Sequence, residues 1–108
     1  MNKVLHKMPD LVAEELAAAN EVFPPFRSLH EGWAVLKEEV EEVDENLDKV
    51  RFYLGRIWAD IRSGHNYIVK DDAADIRNYA EWAAAEAIQV AAMAQKILDY
   101  LEAEGVKP

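Results

Sequence analysis

Residues 33–61 read WAVLKEEVEEVDENLDKVRFYLGRIWADI, and the apolar pattern in this stretch decides the fold. Its apolar positions recur in steps that alternate between three and four residues: Trp33, Leu36, Val40, Val43, Leu47, Val50, Leu54, Ile57 and Ile61. This spacing is typical of a helix that packs one apolar face against another helix. Unbroken to Arg62, the helix would be about 50 Å long at about 1.5 Å per residue. Gly55 leaves a kink or break as the alternative.

The segment before this stretch predicts a shorter helix. Apolar residues at helical spacing indicate a helix over about Pro9 to Val22, with Pro9 in its first turn. The Pro24-Pro25 pair that follows must interrupt the helix. Ser28 and Glu31 then have the spacing of a capping box, which begins the long helix.

The segment after residue 62 predicts a loop over residues 63–71 and a second long helix. That helix begins at Asp71 or Asp72 as its cap and runs to about Glu104, with Gly105 as its stop. Its apolar face is Ile76, Ala80, Ala83, Ala87, Val90, Ala94, Ile97 and Leu101. The expected fold is an all-α antiparallel bundle of two long helices and a short N-terminal helix, forming one domain over residues 1–108. We expect a homodimer or homotetramer to complete it, because the two long helices carry more apolar surface than the short one can cover.

Charge and hydropathy limit the partners of this chain. It has 108 residues, 21 of them acidic and 12 basic, which gives a net charge of −9. That charge disfavours binding to nucleic-acid polymers and to anionic membranes. No stretch approaches the roughly 18 apolar residues of a membrane span, and the N-terminus lacks a signal-peptide core, so we expect a cytoplasmic protein. The absence of cysteine excludes disulfides and thiolate chemistry.

Acidic residues cluster on the first long helix. It carries Glu31, Glu38, Glu39, Glu41, Glu42, Asp44, Glu45 and Asp48, and several of these are like-charged pairs four residues apart. Each such pair destabilises an isolated helix by about 0.2–0.5 kcal/mol. A bound cation would neutralise this repulsion, so the pairs would favour cation binding. The alternative is that the acids form a solvated face.

Four oxygen-bearing side chains hold equivalent positions on the two long helices. Glu39 and Glu42 each directly precede a residue of the first apolar face, and Glu86 and Gln89 do the same on the second. Antiparallel packing would bring the four together, and hard oxygen ligands of this kind favour Mg²⁺ or Mn²⁺. The bases that could contact phosphates are Arg51, Arg56, Arg62, Lys70, Arg77 and Lys96, although surface solubility explains each of them equally well.

Residues 28–42, SLHEGWAVLKEEVEE, and residues 86–94, EAIQVAAMA, resemble the MazG-like family of all-α nucleoside triphosphate pyrophosphohydrolases. That family carries E-E-x-x-E on one helix and E-x-x-D on a later one. The resemblance implies Mg²⁺-dependent cleavage of nucleoside triphosphates between the α- and β-phosphates. It implies metal ligation by Glu39, Glu42, Glu86 and Gln89, and it makes Glu38 a candidate for positioning or activating water. Since Gln89 replaces the family's aspartate, a non-catalytic helical dimerisation or regulatory module is the alternative.

Overall fold

The computed structural model describes residues 2–106, and this part of the chain contains helices and no strand. The helices are α1 (Asn2–Val22), α2 (Leu29–Arg62) and α3 (Asn66–Ala103). The two long helices pack against each other, which confirms the predicted all-α bundle. Within residues 2–106, no helix combines the length and hydrophobicity that crossing a membrane requires.

Helix α2 is continuous through Gly55, so the alternative of a break at this glycine is wrong. Its N-terminus is capped as predicted by Ser28, whose hydroxyl oxygen accepts a hydrogen bond of 3.1 Å from the Glu31 amide. In a capping box the Glu31 side chain would also accept a hydrogen bond from the backbone amide of Ser28, and this second bond is not the one observed. The Glu31 carboxylate accepts hydrogen bonds from the backbone amide and the guanidinium of Arg27.

Two predicted helix starts are wrong, and in both cases the helix is longer than predicted. Helix α1 begins at Asn2, with Pro9 inside it, and its added turns bring Leu5 and Met8 against α3 at a shallow cavity lined by Ala91. Helix α3 begins at Asn66, so only residues 63–65 separate the long helices. The predicted loop over residues 63–71 is therefore mostly helical.

The chain packs as two compact units. The first comprises the chain up to Val40 and from Ala87 onward; the second is Glu41–Glu86. Organisation as a single domain over residues 1–108 stays a prediction.

The first unit combines all three helices around buried Phe26, Ala92 and Met93. The partly buried side chains that pack against this core are Val12, Leu16, Ala19, Val35, Leu36, Ile97 and Tyr100. Gly32 allows the close packing, because a Cβ atom at this position would lie 2.9 Å from Cγ1 of Ile97.

The second unit is an antiparallel hairpin made by the end of α2 and the beginning of α3. Later residues of α2 meet earlier residues of α3: Arg56 lies 3.7 Å from Asp72, and the rings of Tyr53 and Tyr79 stack with centroids 5.8 Å apart. This hairpin is what holds the acidic side chains of the two helices together.

Candidate metal centre

Glu42 on α2 and Glu86 on α3 form a carboxyl pair within the second unit. The pKa of Glu42 is raised above its ordinary value, first by the side-chain hydrogen bond with Glu86, then by desolvation and by repulsion from the Glu86 charge. A hydrogen bond between two carboxyl groups requires one of them to keep its proton. The packing of the two helices therefore keeps the carboxyl groups of Glu42 and Glu86 close together although their charges repel each other.

Glu39 lies one helical turn before Glu42 on the continuous helix α2. One oxygen from each of Glu39, Glu42 and Glu86 lies within 4.8 Å of the other two. All three side chains are half-buried, and within residues 2–106 they are the one acidic or histidine-containing group with this geometry. We call these three residues the acidic triad.

The dimensions of the acidic triad fit a small divalent cation. Mg²⁺ binds oxygen at about 2.0–2.1 Å, so two oxygens on opposite sides of the ion are about 4.2 Å apart. Three oxygens cannot all lie opposite one another, so at least two of their three pairs would be adjacent at about 2.9 Å. A pair at the 4.8 Å limit would therefore have to close by up to about 1.9 Å when the ion binds. A cation between Glu42 and Glu86 would also remove the charge repulsion that contributes to the raised pKa of Glu42. The oxygen donors present suit Mg²⁺ or Mn²⁺.

Gln89 and Glu38 lie beside the acidic triad along their own helices. Gln89 is one turn after Glu86 on α3, and Glu38 directly precedes Glu39 on α2. Within the first unit, Glu38, Glu39 and Gln89 line one cavity of about 710 Å³. This volume is within the range of about 300–1,000 Å³ that is common for small-ligand sites. Ligation by Gln89 and proton transfer by Glu38 stay predictions.

A second acidic pair, Asp60 with Asp72 in the second unit, is not among the predicted site residues. Asp72 is predicted to be a helix cap, yet it lies inside α3 and is only 2% exposed. Its pKa is raised, first by the side-chain hydrogen bond with Asp60 and then by desolvation. Arg56, 3.7 Å away, partly offsets the pair's repulsion. The signal that could have found it is register, because Asp72 lies four residues before Ile76, in line with the apolar face, and Asp71 does not.

Lys96 is the one buried residue among the six bases that could contact phosphates. Arg51, Arg56, Arg62, Lys70 and Arg77 are exposed, whereas Lys96 is 5% exposed and lines the same cavity as Glu39 and Gln89. A signal for this placement is present in the sequence. Lys96 directly precedes Ile97 of the apolar face, which is the relation that Glu86 and Gln89 have to their own apolar neighbours.

Comparison with protein-family models, curated proteins and solved structures found no significant match to this chain. The MazG-like resemblance therefore rests on the two quoted motifs alone. Function has to be inferred from the chemistry of the site itself.

Proposed function

We propose that this protein is a Mg²⁺-dependent nucleotide pyrophosphohydrolase that cleaves nucleoside triphosphates to a monophosphate and pyrophosphate. The observation that carries this proposal is the acidic triad, in which one oxygen from each of the three carboxylates lies within 4.8 Å of the other two. One member, Glu39, also lines the ligand-sized cavity of the first unit. A divalent ion held there would neutralise phosphate charge and polarise the phosphorus centre. Mn²⁺ suits the same donors.

The chain's own carboxylates supply the remaining chemistry of the proposal. Glu39, Glu42 and Glu86 hold the ion, with the amide oxygen of Gln89 as an uncharged fourth ligand. Glu38, exposed and on the cavity wall, accepts a proton from the attacking water. The water oxygen forms a new bond to phosphorus as the bridging oxygen between the α- and β-phosphates leaves with pyrophosphate.

The charge of the chain favours a small substrate in this proposal. A net charge of −9 repels a nucleic-acid polymer along its whole length, whereas a free nucleotide enters with its charge largely neutralised by metal. The cavity of about 710 Å³ is of a size for one such molecule.

Hydrolysis of a nucleotide panel tests the proposal. Purified protein incubated with nucleoside triphosphates and Mg²⁺ or Mn²⁺ should release pyrophosphate, and Glu86→Gln should reduce that release by about a hundredfold or more, since it removes one charged ligand of the ion. Glu81→Gln is the matched control on the exposed surface of α3 and should leave the rate unchanged. Absence of pyrophosphate with every nucleotide and both metals, at high protein concentration, would refute the enzymatic proposal.

One observation favours a helical dimerisation module as the second candidate. The chain exposes 8168 Å², whereas a folded monomer of this length typically exposes about 6,100 Å². The excess of about 2,000 Å² per chain is the order of what an obligate homodimer buries. We propose a homodimer in either case, since self-association is compatible with catalysis.

A further inference from the structure

The cavity of the first unit contains a buried lysine. Lys96 on α3 is 5% exposed, and its ammonium nitrogen lies 4.8 Å from the centroid of the Phe26 ring. Burial of an ammonium group is unfavourable unless an anion or a strong dipole compensates for the lost hydration. The face of an aromatic ring offsets only part of this cost.

No carboxylate of the described residues is in direct contact with Lys96. Among residues 2–106, it takes part in no ion pair within 4.0 Å and in no side-chain hydrogen bond. Glu31 is the carboxylate whose pKa responds to Lys96, but that pKa is lowered first by a hydrogen bond from Arg27 and only last by the Lys96 charge. Arg27 already holds Glu31 at 2.9 Å.

Lys96 lies in the same cavity as two of the predicted metal ligands, Gln89 and Glu39. It follows Gln89 by two helical turns on α3, which is about 10 Å along the axis at about 1.5 Å per residue. Lys96, Gln89 and Glu39 line the same cavity, so one ligand can reach all three. The other charged groups on the wall, apart from Arg27, are Glu15, Glu31, Glu38 and Glu39. An anion would therefore enter this cavity as its metal complex. Because Arg27 is paired with Glu31, Lys96 is the cation that can bind the end of the anion that is not bound to the metal.

We propose that Lys96 binds the phosphate chain of the nucleotide, at the end farther from Glu39. This inference rests on the proposed function and adds a phosphate-binding residue outside the metal ligands. The ammonium group donates hydrogen bonds to phosphate oxygens, and these bonds are strengthened by the low-dielectric wall that Phe26 provides. Binding at this point fixes the direction in which a triphosphate lies along the cavity.

Calorimetric titration with inorganic triphosphate in the presence of Mg²⁺ tests Lys96 directly, because this probe carries the phosphate chain and no base. Lys96→Met should weaken triphosphate binding about tenfold or more, as expected for a lost charge-assisted hydrogen bond. Lys96→Arg should restore most of the affinity. Lys70→Met removes an exposed lysine from the same helix and should bind like the wild type. Circular dichroism should show the same helix content in all four proteins, and affinity for Mg²⁺ alone should stay unchanged.

The possible outcomes separate this inference from the proposed function. Wild-type affinity in a folded Lys96→Met variant overturns the role of Lys96, even if the wild type releases pyrophosphate. Loss of affinity that Lys96→Arg restores supports the role of Lys96, even if no nucleotide is hydrolysed. Failure of the wild type to bind triphosphate while it binds Mg²⁺ overturns the role of Lys96, whatever the hydrolysis panel gives.

Discussion

The two units of this protein use different means to hold their helices together. The first unit buries Phe26, Ala92 and Met93 among three helices, and Gly32 lets the backbone come close to Ile97. The second unit has two helices and buries only Ala83 and the charged Asp72 among its described residues. Its large apolar side chains Phe52, Leu54, Trp58, Ile61, Tyr67 and Trp82 are at least half exposed.

The two units therefore differ in what stabilises them. The first unit has an apolar core of its own, so the packing of that core should determine its stability. It also contains the ligand-sized cavity. The second unit is a hairpin that two helices alone rarely stabilise, because each leaves most of its apolar surface in water. We therefore expect a second copy of the chain to cover the second unit, and substitutions should affect the two units in different ways.

The largest expected effect is on assembly. Leu54, Trp58 and Ile61 have helical spacing on the exposed side of α2, so Leu54→Lys should lower the affinity of the dimer about tenfold or more by placing a charge in its apolar contact. Sedimentation equilibrium or light scattering measures this change. Glu45→Lys alters the roughly opposite face of α2 and should leave the dimer intact. A wild-type protein that is monomeric at micromolar concentration contradicts the expectation.

A pair of glycine substitutions should give opposite signs in the two units. Gly32→Ala places a methyl group 2.9 Å from Ile97 Cγ1 and 3.2 Å from the Phe26 ring, and this overpacking should lower the free energy of unfolding by about 1–2 kcal/mol. Gly55→Ala meets nothing within 4 Å and should raise it by up to about 1 kcal/mol through helix propensity. Urea denaturation measures both. A stabilising Gly32→Ala would show that the core of the first unit is looser than these distances indicate.

The smallest expected effect is on pH dependence, in the second unit. Because the pKa of Asp72 is raised in the folded protein, the folded state binds the extra proton, and stability should fall as pH rises from the ordinary carboxyl pKa through the raised value. Asp60→Asn supplies an amide donor in place of that proton. The variant should therefore gain stability at neutral pH and lose part of the rise seen on acidification. Arg56 keeps the effect small by offsetting some of the repulsion.

Thermal unfolding at pH 7 and pH 5 measures this change against Asp71→Asn, which removes the same charge from an exposed neighbour. Asp71→Asn should follow the wild-type pH dependence. Identical profiles for Asp60→Asn and Asp71→Asn would show that the Asp60–Asp72 pair does not hold a proton.

The apolar spacing of α2 is the pattern from which most of the fold and of the candidate site can be predicted. A helix fixes the direction of each side chain, so residues that directly precede the apolar face must flank the contact between the helices. Together with antiparallel packing, that relation predicts that Glu39, Glu42 and Glu86 lie close to one another, and one oxygen from each lies within 4.8 Å of the other two. Ligation by Gln89 follows from the same register, whereas the role of Glu38 is implied only by the family resemblance. Both stay predictions.

The features that the sequence does not predict depend on tertiary packing. Asp71 and Asp72 are good local helix caps, yet α3 begins at Asn66, where Ile68 and Val69 become half-buried. Local propensity therefore gives a start five or six residues late. The register of Lys96 beside Ile97 indicates that it flanks the contact between helices, but its burial against Phe26 depends on where that ring lies after the proline pair. Helical periodicity contains no information about the segment between α1 and α2.

Binding of Mg²⁺ to the acidic triad is the central claim, and a calorimetric titration of the nucleotide-free protein tests it most directly. The wild type should bind the ion saturably, and Glu42→Gln should weaken binding about tenfold or more because it removes a charged ligand. Glu45→Gln, one turn further along α2 and exposed, should bind as the wild type does. A wild type without saturable binding of Mg²⁺ or Mn²⁺, or a Glu42→Gln variant of undiminished affinity, would contradict the account.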